Sequence, residues 1–407
     1  MAVVAGARRW SELFAERTRG DVGGAILEIL ALAGNTELIP FAGGFPDPQT
    51  FPGERAAEFL DELVAAGDLG PFQYSPTRGL PGPLDALAER LDAQQGRRPA
   101  DAETLITSGG IEALELVAKS FLDVGDAVVV EGPTYLGGIM AFRGYQAGVT
   151  AVALDEHGLD VDALRSLLAG GLRPKLVYTI PDHQNPAGVS LSVERRHALV
   201  ELARSEGFLI VEDVAYRELG FDGGALPSLW SLAPDAVVQV GTTSKTFFPG
   251  LRLGWAVGPA EVVAQLTVAK QNTDQCAGAL GQKLWERYAR TGAMDEQLVS
   301  SRALYRRRCE RMLAAFQRTM PPGVSWTEPH GGFFSWVTLP DGVDAAELAR
   351  SAAAAGVAVV PGTPFFPDGR GGSNLRLSFS RVDDELIDEG IERLAALVGA
   401  HEAVRRS

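Results

Sequence analysis

The chain has 407 residues, of which 46% are hydrophobic and 22% charged, and carries a formal net charge of −15 at pH 7. This balance excludes a disordered or fibrous chain, and the acidity argues against nucleic acid as a partner, since a phosphate backbone calls for clustered lysine and arginine. Two cysteines, Cys276 and Cys309, make no disulfide framework and match no zinc spacing, and no stretch reaches the ~20 apolar residues of a membrane span, so a cytoplasmic protein with a small-molecule ligand is expected.

Single cores rarely grow beyond ~250–300 residues, so two domains are expected. Residues 1–40 hold one helical stretch, "GGAILEILALAG", before the turn-rich "FAGGFPDPQTFPG". From about 54 to 290, helical stretches alternate with the β-rich runs "AVVVEG" (127–132), "KLVYTI" (175–180), "FLIVED" (208–213) and "VVQVGT" (237–242). These runs show almost no polar alternation, which predicts strands covered on both faces, in a doubly wound α/β domain with a mostly parallel sheet. A charged helical stretch near 283–319 follows. The texture then changes to "GGFFSWVTLP", "VAVVPGTPFF" and "NLRLSFS", which predicts a smaller α+β domain. The expected division is an N-terminal arm, 1–50, joining the small domain; a large domain, 51–295; and a small C-terminal domain, 296–407.

In open α/β sheets, ligands bind beyond the carboxyl ends of the strands. Those ends deliver Tyr135, Asn185, Asp213 with Tyr216, and Thr242 with Lys245. Upstream, "TLITSGGIEALELVAKSFL" reads as a strand, the pair Gly109-Gly110, and a helix whose first N–H groups, Ile111 included, face an anion. Arg252 is placed to clamp the same anion. Desolvation and neighbouring cations free a lysine amine from its proton, and its product with an aldehyde is a Schiff base. Pyridoxal 5'-phosphate fits every group. Asp213 would hold its ring nitrogen protonated, Asn185 and Tyr216 its ring hydroxyl, and Tyr135 would stack on the ring.

Asn185-Pro-Ala-Gly, Asp213-Val-Ala-Tyr216 and Ser244-Lys245-x-x-x-Pro249-Gly250-x-Arg252-x-Gly254, in that order, resemble the class I/II aminotransferases of fold type I. The resemblance runs from about residue 38 to 380. The stretches "FAGGFPDPQTFP", "QYSPTRGLPG" and "NLRLSFS" are most similar to the branch with 2-aminoadipate and kynurenine aminotransferases. The resemblance implies transfer of the amino group of an apolar, aromatic or 2-aminoadipate-like L-α-amino acid to 2-oxoglutarate or pyruvate by a ping-pong mechanism. It also implies that Lys245 links to the cofactor and shuttles the substrate proton, that Arg376 binds the substrate carboxylate, and that Gly44 lies beside the substrate. Tyr74 would reach the cofactor of a neighbouring subunit, making a homodimer the active unit. Gly110 and Ile111 stand where many relatives have a hydroxyl residue and glutamine, so phosphate binding is expected to lean on backbone N–H groups, Thr242 and Arg252. The "ILEIL" stretch, 26–30, lacks an arginine many relatives place there. His183 and His330 are read as structural. Two alternatives stand beside this reading: another reaction on the same cofactor, such as β-elimination, decarboxylation or oxidation, and a regulatory protein that binds it as an effector. The roughly 40 residues before "FAGGFP" are fewer than a winged helix and linker need.

Overall fold

The computed structural model of the protein describes residues 10–18 and 24–406. Residues 1–9 and 19–23 of the expected N-terminal arm lie outside the described residues. In chain order the strands are β1 Ile39–Pro40, β2 Thr104–Thr107, β3 Ala127–Gly132, β4 Gly148–Asp155, β5 Gly158–Leu159, β6 Pro174–Thr179 and β7 Leu209–Asp213. They continue with β8 Val237–Thr242, β9 Gly254–Val257, β10 Ser325–Trp326, β11 Phe334–Thr338, β12 Val357–Ala358, β13 Val360–Pro361 and β14 Asn374–Ser378.

Strands β2 to β9 form one sheet in the order β2-β9-β8-β7-β6-β3-β4-β5. Its centre, from β8 through β4, is parallel, while β9 runs antiparallel to both β2 and β8, and β5 folds back on β4. The central strands are continuous apolar runs because helices cover both faces: Val129, Val130, Val177, Tyr178, Ile210 and Val211 are all fully buried. From β3 the chain moves outward to β4, then returns to β6 on β3's other side, so the connections diverge and open a crevice at the carboxyl ends.

A second sheet, β10-β11-β14-β13, is antiparallel and pairs Trp336 with Arg376. β1 pairs in parallel with β12, and Ser378 N–H donates to Phe41 O at 2.8 Å, so the segment after the helix Gly24–Gly34 is stitched to the C-terminal strands. The turn beyond is anchored by Arg308, buried in the helix Ala293–Thr319, which donates to Asp47 Oδ2 at 2.6 Å, Ser380 O at 2.8 Å and Asp384 Oδ1 at 3.0 Å. Ser380 Oγ in turn donates to Phe45 O at 2.6 Å, which ties down the residue that follows Gly43 and Gly44. The helical stretch expected near 283–319 is two helices, Ala279–Arg290 and Ala293–Thr319, parted where Gly292 takes φ 78°. Among the described residues, no helix is long and apolar enough to cross a membrane.

Candidate active site

The carboxyl ends of the central strands open onto a cavity of about 430 Å³. Lys245 lies three residues beyond β8, in a turn fixed by Thr243 N–H donating to Leu253 O at 3.0 Å and Phe247 N–H to Thr243 O at 2.8 Å. Its Nζ donates to Gly44 O at 2.8 Å and stands 5.8 Å from the ring centroids of both Tyr216 and Phe333. Burial lowers the amine pKa to about 8; Arg376 pushes the same way, Asp213 opposes, and Arg252 adds a smaller push downward.

Asp213 closes β7 and accepts the Tyr178 hydroxyl at 2.8 Å and the Ala215 N–H at 3.1 Å. Burial pushes its carboxyl upward, and Tyr178, Ala215 and Lys245 pull it back. Its partners are neutral donors and one nearby amine, which leaves an acid able to hold a protonated ring nitrogen.

Two arginines face the cavity, and among the described residues neither forms an ion pair with a carboxylate. Arg376, on β14 and 5% exposed, lies between the rings of Phe334 and Phe365, 4.5 and 4.9 Å from their centroids. It donates to Asn185 Oδ1 at 3.2 Å and Ala42 O at 2.7 Å, while its Nε has no protein partner. Burial lowers the guanidinium to about 10, so it remains a cation near neutrality. A buried cation that meets only neutral groups calls for an anionic ligand.

Arg252 makes a second anion locus. Its backbone is left-handed, φ 51°, and its guanidinium reaches Ser244 Oγ at 3.4 Å and Pro249 O at 3.2 Å. Beside it starts the helix Gly110–Phe121, whose N-cap, Gly109, has φ 93° and ψ 167°. A Cβ at Gly109 would come within 2.6 Å of the Arg252 guanidinium, so the glycine keeps this corner open. Thr242 and Ser244 bond to each other through their hydroxyls at 2.9 Å and complete the corner.

Of the residues singled out from sequence, Gly44, Gly110, Ile111, Tyr135, Asn185, Asp213, Tyr216, Thr242, Lys245, Arg252 and Arg376 all line the cavity. Gly109 stands behind the wall, against Arg252. Tyr74 is absent from the wall and 81% exposed on its own chain. His183 is half-buried with its Nδ1 shut away from solvent, is held down to about 4 by desolvation, and packs against Gly331 and Gly332 outside the cavity lining; His330 is exposed. Phe365 lines the cavity, and Phe366 packs beside Trp336. Sequence reasoning missed Tyr178, Ser244 and the apolar face of the helix Gly24–Gly34, where Ile26, Ile29, Leu30 and Ala33 close the cavity. Ser244 was adjacent to the lysine in the quoted motif. Tyr178 gave no signal beyond a hydroxyl-bearing ring within an apolar run.

These residues fit pyridoxal 5'-phosphate. An amine partly neutral at physiological pH suits its aldehyde, an unpaired Arg252 beside a helix N-terminus suits its phosphate, and Asp213 suits its ring nitrogen. The open corner at Gly109 is what a bound phosphate requires.

The profile of the family described as aminotransferase class I and II matches residues 43–394. The chain is 36% identical over 394 residues to aromatic-amino-acid aminotransferase 1 of Thermococcus litoralis, a match covering 96% of this chain and 94% of that one. It is 40% identical over 390 residues to 2-aminoadipate transaminase of Thermus thermophilus, covering 95% and 96%. The crystal structure of Pyrococcus horikoshii kynurenine aminotransferase in complex with PMP matches at a TM-score of 0.92 and 36% identity, over 96% of this chain and 98% of that one.

Proposed function

Because the chain belongs to the class I and II aminotransferases, we propose a role for each group of its cavity and an apolar or aromatic L-α-amino acid as its donor. The protein is a pyridoxal phosphate-dependent aminotransferase of fold type I, moving the amino group of an amino acid to a 2-oxo acid. Bound pyridoxal phosphate supplies an electron sink for charge at the substrate α-carbon and carries the amino group between half-reactions.

Lys245 would hold the cofactor through its amine and, once freed by the substrate, would take up the proton leaving the substrate α-carbon. The observation that carries this reading is an amine lowered to about 8 sharing one cavity with Arg376, a buried cation without an acid partner. Arg376 takes the substrate carboxylate. Arg252, Thr242, Ser244 and the N–H groups of Gly110 and Ile111 take the cofactor phosphate. Asp213 holds the ring nitrogen, oriented by Tyr178; Asn185 and Tyr216 hold the ring hydroxyl; Tyr135 covers a ring face. Gly44 fixes the free amine through its carbonyl and lies beside the substrate.

The donor class follows from charge. The cavity's charged residues are Glu115, Asp213, Lys245, Arg252 and Arg376. Once these cations have their roles, no further one among the described lining residues remains for a distal carboxylate. The wall toward the helix Gly24–Gly34 is apolar, which supports an apolar or aromatic side chain rather than 2-aminoadipate. We place the boundary of the large domain at 51–295 and the small domain at 296–407, joined by the N-terminal arm, and take the active unit to be a homodimer to which Tyr74 contributes across the interface. Two free cysteines support a reducing compartment, the cytoplasm.

The test is a single-turnover assay of the cofactor-loaded protein with a panel of amino acids and no acceptor. The expected result is about one equivalent of 2-oxo acid per site from leucine, phenylalanine or tyrosine, less from 2-aminoadipate, and continued turnover on adding 2-oxoglutarate or pyruvate. Ammonia released in multiple turnovers without an acceptor would instead mean elimination or oxidation on the same cofactor.

A further inference from the structure

The β3–β6 ladder ends at the pair Val130↔Tyr178, and beyond it the two exit loops part to form the crevice. One loop leads to Tyr135 and the other to Asn185. Backbone pairing therefore does not set the distance between these two residues.

Side chains span the gap instead. Glu131 and Gln184 are both fully buried. Glu131 accepts from the Thr179 hydroxyl at 2.5 Å, the Ile180 N–H at 3.2 Å and Gln184 Nε2 at 2.9 Å. Gln184 Nε2 donates again, to Pro133 O at 2.8 Å, and Gln184 Oε1 accepts the Ala187 N–H at 2.8 Å. Every polar atom of both side chains thus has a partner, and the partners belong to both exit loops. A fully satisfied buried network of this kind holds one geometry and resists others.

We infer that Glu131 and Gln184 form a bracket across the crevice that positions Tyr135 and Asn185, and through Asn185 the substrate-facing Arg376. The last link is the Arg376 hydrogen bond to Asn185 Oδ1, at 3.2 Å. When the 184–187 loop shifts, the acceptor on which the guanidinium rests shifts with it. Glu131 and Gln184 line no part of the cavity, so they act as positioning residues. The inference rests on the roles given to Asn185, Tyr135 and Arg376 above.

Shape and hydrogen bonding can be separated from charge at this site. Burial pushes the Glu131 carboxyl up to about 7, so near neutrality its charge is the most dispensable part of it. In Glu131→Gln the amide oxygen can accept from Ile180 and Gln184, and the amide N–H can donate to a Thr179 hydroxyl turned the other way. In Glu131→Leu all three bonds are lost. Gln184→Met cuts the bracket from its other side and keeps the variant set informative if one member folds poorly.

The experiment measures two quantities on each variant: the pyridoxal phosphate dissociation constant by absorbance titration of apoprotein, and donor KM and kcat at saturating cofactor. Folded content comes from circular dichroism. For Glu131→Leu and Gln184→Met, the cofactor dissociation constant and the donor KM are each expected to rise about tenfold with kcat within about threefold, and Glu131→Gln is expected to stay within about twofold of wild type. Unchanged constants, or a loss of activity that follows folded content at constant KM, would overturn the bracket, as would Glu131→Gln behaving like Glu131→Leu. A wild type that yields no 2-oxo acid would defeat the reaction assignment instead, and the cofactor titrations would still test the bracket.

Discussion

At Lys245 the fold removes an amine from water and places two unpaired arginines in the same cavity, and both effects favour the neutral form. With its pKa at about 8, roughly a tenth of the amine is neutral at pH 7, against well under a thousandth for an ordinary lysine. The folded value lies below the ordinary one, so the reactive fraction climbs with pH and saturates above it. The rate at which apoprotein captures pyridoxal phosphate should therefore rise about tenfold between pH 6 and 7 and flatten above about pH 9. Arg376→Met removes the largest charge acting on the amine and should move the midpoint upward; stopped-flow absorbance at the cofactor band reads both. A wild-type midpoint near that of free lysine, or one indifferent to Arg376, would contradict this account. Lys245, Asp213, Asn185 and Arg252 were legible in the sequence because each is a chemically distinctive residue at a strand end or in a dense motif, whereas Arg376, in the middle of β14, was reached only through the family resemblance. Tyr178 was not. Its role depends on a hydroxyl that crosses to Asp213 on the neighbouring strand, and strand pairing is not written in periodicity.

At the scale of elements, the phosphate corner is a junction between β2, the helix Gly110–Phe121 and the turn carrying Arg252, and Gly109 is where the three meet. Its φ of 93° with ψ of 167° lies in a region closed to side-chain-bearing residues, where strain is ~1–3 kcal/mol. In Gly109→Ala the backbone must leave that region or the Arg252 guanidinium must swing away, and either change spoils the corner. Pyridoxal phosphate affinity should fall about tenfold or more, while pyridoxal, which lacks the phosphate, should bind as before. Equal losses for both would point to a general defect and away from the corner. The four buried parallel strands were legible because both faces are covered and their apolar runs are unbroken. β4 was not, since alanines and a threonine dilute the β-branched signal of its run and its residues are mostly half-exposed. β9 is four residues long and hides behind the glycine- and proline-rich lysine turn. The 283–319 stretch kept helical periodicity across a break that one left-handed glycine makes.

At the scale of the whole molecule, the cavity walls leave an apolar region unaccounted for. Leu60, Val64, Leu69, Phe72 and Tyr74 are exposed around the helix Gly53–Ala65 and the loop after it. Apolar exposure gathered in one short stretch of chain is what an interaction surface leaves on a single subunit, and in the proposed homodimer a second copy of the chain would cover it. Tyr74 provides the sharpest test, because its side chain is 81% exposed and touches no part of its own cavity. In a chain that works alone, Tyr74→Phe should change nothing, since surface substitutions are usually worth within ~0.5 kcal/mol. If the hydroxyl instead meets the phosphate of a neighbouring subunit's cofactor, the same change should weaken pyridoxal phosphate binding about tenfold, or ~1.4 kcal/mol, and leave thermal stability of the apoprotein unaltered. Dilution adds a second reading. Apparent cofactor affinity of the wild type should decline once protein concentration drops below that needed for association, whereas Tyr74→Phe has already lost the contact and should respond less. Equal affinity of both proteins at every concentration would leave Tyr74 a surface residue and confine the active site to a single chain.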